Sequence, residues 1–63
     1  MDQLSRILLE TIGAVGYVVK VQADTVCATD QETGERFIVR HSPENFYHAC
    51  VELAVMVGIE LEE

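Results

Sequence analysis

Four side chains in this 63-residue sequence have the types needed for metal or thiol chemistry: Cys27, His41, His48 and Cys50. Two thiolates and two imidazoles are a donor set that suits zinc. Their spacing does not assemble it. His48 and Cys50 stand two apart in a stretch of helical pattern, so their side chains diverge by about 200°, and Cys27 falls in the middle of an extended stretch with no ligand beside it. No metal site and no cofactor is expected. Nucleophilic catalysis would need one of the thiols paired with a histidine that an acid or amide holds in place. Cys50, Glu44 and His48 supply those residue types, but Cys50 lies on an apolar stripe where a thiolate is disfavoured. The sequence carries no glycine-rich phosphate loop, HExxH, nucleophile elbow or paired-carboxylate pattern. The chain is expected to be non-catalytic.

Among the elements that would hold these side chains, the last twenty-odd residues give the clearest helix. Ser42 is a suitable N-cap, Pro43 suits the first helical position, and Glu44 places negative charge where the helix dipole favours it. Gly58 marks the expected end. Between them Phe46, Ala49, Cys50, Leu53, Ala54 and Val57 make one apolar stripe at helical spacing, and Tyr47, Val51, Val55 and Met56 widen it beyond what one small sheet can cover. An earlier helix is expected over 2–12, with Asp2 as N-cap, Leu4, Ile7, Leu8, Thr11 and Ile12 on its inner side, and Arg6 and Glu10 paired on the other. Gly13 should stop it, with Gly16 as a second break before an extended segment.

From Tyr17 the period changes to two and the residues become those of a pleated surface. Two registers compete. One treats Gly16 to Thr29 as a single long strand of a hairpin, giving αββα; the other turns at Ala23-Asp24 and runs a three-stranded meander over 17–22, 25–30 and 35–40. A register slip sends every side chain to the opposite face, so the face composition decides. With the turn at 23–24, Val21 opposes Val26 and Val19 opposes Ala28; with a second turn at Gln31 to Gly34, Ala28 opposes Phe37 and Val26 opposes Val39. One face is then Tyr17, Val19, Val21, Val26, Ala28, Phe37 and Val39. The long-strand reading instead puts Val26 beside Lys20, Gln22 and Asp24. The expected fold is a single α+β domain over 1–63, αβββα, with a three-stranded antiparallel meander packed on two helices. Gly34 can supply the positive φ that closes the second hairpin.

Composition and charge narrow the function classes. A chain of this size buries only about 60% of its unfolded surface, which disfavours a deep enclosed pocket and any evident small-molecule substrate. Hydrophobic residues are 49% and charged residues 24%, the mix of a folded chain. Eleven acids against four Lys and Arg give a net charge of −7, which disfavours nucleic acid or anionic lipid as a partner of the whole surface. No run reaches the eighteen or so apolar residues of a membrane span. The stretch Ile7 to Val19 is interrupted by Glu10 and Thr11 and leads to no small-residue cleavage site. Two cysteines are too few to staple a secreted mini-protein. The expectation is a soluble cytoplasmic protein with reduced thiols.

The charge is unevenly placed. Residues 43 to 63 hold Glu44, Glu52, Glu60, Glu62 and Glu63 and no cation. In the meander register Lys20, Arg36 and Arg40 fall on the outer sheet face with Val18, Cys27 and Ile38, which makes that face either an ordinary solvated surface or a binding surface with a cationic rim. The leading expectation is a small acidic protein-interaction domain that works as a homodimer or docks on a larger partner, through Tyr47, Val51, Val55 and Met56. A core this small leaves a monomer within roughly a few kcal/mol of zero stability, so further burial through a self-complementary patch would help. One alternative is nucleic-acid binding by the outer sheet face through Lys20, Arg36 and Arg40. It lacks an aromatic there, since Tyr17 and Phe37 belong to the other face. Another is an acidic inhibitor or nucleic-acid mimic of the kind phages use.

Overall fold

The computed structural model describes residues 2–60. Glu62 and Glu63 of the acidic tail lie outside the described residues. The order is α1 (Gln3–Ala14), β1 (Tyr17–Val21), β2 (Thr25–Asp30), β3 (Arg36–Arg40) and α2 (Phe46–Met56). The three strands form one antiparallel sheet in the order β1-β2-β3, so the fold is α+β with αβββα order. The meander register holds pair for pair: Val21 with Val26, Val19 with Ala28, Ala28 with Phe37 and Val26 with Val39. The reason is the alternation itself, because the long-strand alternative would have exposed Val26, which is fully buried.

The turns close the register. At the first, the Gln22 N–H donates to the Thr25 carbonyl at 2.8 Å and the Thr25 hydroxyl donates to Gln22 Oε1 at 3.1 Å. At the second, Asp30 Oδ1 accepts from the N–H groups of Glu32 and Thr33 at 2.7 and 3.2 Å, and Gly34 takes φ +77. This is the aspartate-led turn in which a side chain mimics a backbone acceptor.

Both helices lie on one face of the sheet, α1 over β1 and α2 over β2 and β3, and they pack on each other. The core between them is Leu9 and Ile12 from α1, Val26, Ala28 and Val39 from the sheet, and Ala49, Cys50, Leu53 and Ala54 from α2. Tyr17, Val19 and Phe37 are half-buried around it, while Val21 shares their face but stays exposed at its strand end.

Three local expectations are corrected. Gly13 does not end the first helix; it continues to Ala14 and reverses at Gly16, whose φ of +107 is open to glycine at little cost. The inner side of α1 is rotated from the expected stripe: Ser5, Leu9 and Ile12 are buried and Leu8 half-buried, whereas Leu4, Ile7 and Thr11 are exposed. The second helix starts at Phe46 and not at Pro43, because Asn45 Oδ1 accepts from both the Ser42 N–H at 2.6 Å and the Ser42 hydroxyl at 3.1 Å. Residues 42–45 thus close into a turn, and Glu44 sits outside the first helical turn. Other ends follow the sequence. Asp2 caps α1 by accepting from the Ser5 N–H at 2.8 Å, which holds its carboxyl below the usual range. Gly58, at φ +91, ends α2 with the paired bonds Ile59 N–H to Ala54 carbonyl and Gly58 N–H to Val55 carbonyl, both at 3.0 Å.

Ser5 is the one buried polar residue among those described; its hydroxyl is near the Cys50 thiol and makes no hydrogen bond. A small residue suits a place where two helices meet, but an unsatisfied buried hydroxyl is destabilising. Ser5→Ala keeps the size, removes the hydroxyl and adds a better helix former. It is expected to raise stability by about 1 kcal/mol, or roughly 4–8 °C in thermal midpoint for a domain this small. A circular-dichroism melt checks it, and a lower midpoint would show that the hydroxyl has a partner in solution.

Candidate functional site

The four side chains with metal or thiol potential are dispersed. Cys27 is half-buried on the outer sheet face, and Cys50 is buried beneath the helices on the opposite side of the sheet. Burial pushes the Cys50 thiol above its ordinary value, with the Asp2 charge adding to the rise, so this sulfur stays protonated at neutral pH. His41 follows β3 and has a structural task. Its Nε2–H donates to the Gln22 carbonyl at 3.1 Å, its backbone N–H donates to the Asp24 carbonyl at 2.9 Å, and its ring stands edge-on to Phe46 with centroids 4.8 Å apart. It thereby ties the first turn of the sheet to the start of α2. His48 is exposed, beside Tyr47 at 5.9 Å between ring centroids. Among the described residues no group of three or more His, Cys, Asp or Glu is placed to hold a metal.

Two surfaces remain. The first is the solvent side of the helices. Along α2 the residues fall into rows four apart: Ala49, Leu53 and Val57; then Phe46, Cys50 and Ala54; then Tyr47, Val51 and Val55. The first two rows cover the core, being buried or half-buried. The third emerges at their edge, with Tyr47 at 38% exposure, Val51 half-buried and Val55 at 60%. Met56 is also exposed, but it lies about 100° around the helix from Val55, with the exposed Glu52 between them. The Tyr47, Val51 and Val55 row is therefore contiguous, and Met56 stands apart from it across Glu52. The rotation of α1 adds apolar surface to the same side of the sheet: Leu4 is 62% exposed and Ile7 48%. The signal for these two was present in the sequence, since α1 carries apolar residues on two overlapping stripes and only one can face inward.

The second surface is the outer sheet face. Register places Val18, Thr29 and Arg36 in one row across the strands, Lys20, Cys27 and Ile38 in the next, and Thr25 with Arg40 in the third. The first two rows, joined by Gln22 and Gln31, line an open depression of about 440 Å³. Arg40 shares the face by register, is exposed, and lies outside the depression. All six side chains expected on this face are thus on it, and five border one concavity.

No helix among the described residues is long and apolar enough to cross a membrane. The chain matches no known family model, no curated protein and no solved structure in the comparisons made with each.

Proposed function

We propose that this chain is a small, non-catalytic protein-interaction domain that works in the cytoplasm as a homodimer, joined through the solvent side of its helices. The observation that carries the reading is the Tyr47, Val51 and Val55 row, which continues the buried stripe of α2 out into solvent, from the half-buried Val51 to the mostly exposed Val55. Contiguous apolar surface rimmed by polar groups is what association surfaces offer. A two-fold contact needs only one such patch, because each copy's seam covers the other's. The exposed Leu4 and Ile7 on α1 give additional apolar area on the helical side. The protonated, buried Cys50 and the separation of Cys27 from both histidines support a non-catalytic role, and two unpaired cysteines suit a reducing compartment.

Dilution tests the reading directly. A dimer that is more stable than its monomer melts at a temperature that rises with concentration. Thermal melts over a hundredfold range of protein concentration are expected to shift upward with concentration. A midpoint that does not move would contradict the homodimer.

A further inference from the structure

The outer sheet face differs chemically from the helical seam. Of the chain's four Lys and Arg, three stand on it: Lys20, Arg36 and Arg40. They are exposed, and no Asp or Glu borders the depression between them. The fourth cation, Arg6, pairs with Glu10 at 3.2 Å on α1, and that is the only ion pair among the described residues. An acidic chain with eleven carboxylates thus leaves three cations on one face without a carboxylate partner from the described residues. Between them Val18 and Ile38 stand 49% and 54% exposed. The face asks for an occupant that carries both carboxylates and apolar side chains.

We propose that the outer sheet face docks an acidic segment of a partner protein, with carboxylates meeting Lys20, Arg36 and Arg40 and aliphatic side chains covering Val18 and Ile38. A second copy is disfavoured on this face, because an isologous contact would bring two sets of cations together. Nucleic acid is disfavoured too. Bases need a stacking platform, and the sheet's aromatics, Tyr17 and Phe37, lie against each other at 6.1 Å on the side that faces the helices. The proposal does not depend on the helical seam, which is on the other side of the sheet. If both hold, a dimer presents two docking faces pointing away from each other, and a partner with two acidic segments gains avidity.

The test uses the full chain and an array of twelve-residue peptides graded in net charge and aliphatic content, with an oligothymidylate of equal length as the nucleic-acid probe. Binding is expected to concentrate in peptides that are both acidic and aliphatic. The strongest of them should lose about threefold in affinity to Arg36→Gln and roughly tenfold to the Lys20→Gln, Arg36→Gln pair, as exposed charge pairs allow. Arg6→Gln removes the same charge from α1 and should leave affinity unchanged. Circular dichroism confirms that each variant is folded, and light scattering should show the same mass for the sheet-face variants as for the parent. The proposal is overturned if binding ignores peptide charge, if the oligothymidylate binds more tightly than every peptide, if Arg6→Gln weakens binding as much as Arg36→Gln, or if the sheet-face variants change the chain's own association.

Discussion

Leu53→Ala is expected to leave the chain largely unfolded at room temperature. Leu53 is fully buried in the cluster that joins α2 to Ile12 of α1 and to Val26 and Val39 of the sheet. Truncating a buried leucine removes its transfer energy and leaves a cavity, together about 2–5 kcal/mol. A domain below seventy residues holds no more than about 3–5 kcal/mol from a single core, so the loss is comparable to the whole. Far-ultraviolet circular dichroism and a urea titration should show a collapsed or absent transition. Leu4→Ala on α1 is the matched control, because Leu4 is mostly in solvent; as a surface change it should move stability by no more than about 0.5 kcal/mol in the monomer. A Leu53→Ala protein that unfolds like the parent would show that the helices do not pack on the sheet as described.

Val55→Glu carries the second large effect. Val55 is outside the core cluster and mostly exposed, so the substitution removes no contact with the sheet. In a two-fold contact through the Tyr47, Val51 and Val55 row it would bring a new carboxylate from each copy into an apolar seam. Like charges set against each other at an interface cost several kcal/mol, enough to weaken dimerisation by about a hundredfold or more. Mass and thermal midpoint should fall together. Met56→Glu adds the same charge on the other side of Glu52 and should leave the dimer in place. Equal dissociation by both variants would place the contact elsewhere on α2.

The sheet was legible because its evidence is redundant. Four cross-strand pairs, each joining apolar residues, and one glycine with positive φ all demand the same register, and the outer-face residues follow from it without further information. The helix ends were less so, because a cap signal is one residue deep and neighbouring signals compete. Ser42, Pro43 and Glu44 have the types of a helix start, yet Asn45 turns its side chain back onto Ser42. The packing of Phe46 on His41, itself bonded to the first sheet turn, fixes where the helix begins. Gly13 comes first along the chain and reads as the stop, but only Gly16 adopts the positive φ that a stop of this kind uses. The inner side of α1 depended on α2 as well as the sheet. Ser5 is buried because it meets Cys50, a contact between residues forty-five apart that periodicity along one helix does not contain. That same rotation put Leu4 and Ile7 in solvent and so added to the surface on which the functional reading rests.

In the proposed homodimer a second copy covers the helical side of this domain. Light scattering on the size-separated full chain measures it most directly, with Val55→Glu run in parallel. The parent is expected at twice the chain mass of 7.0 kDa and the variant at a single chain mass. A parent that elutes at one chain mass at every concentration tested, indistinguishable from Val55→Glu, would contradict it.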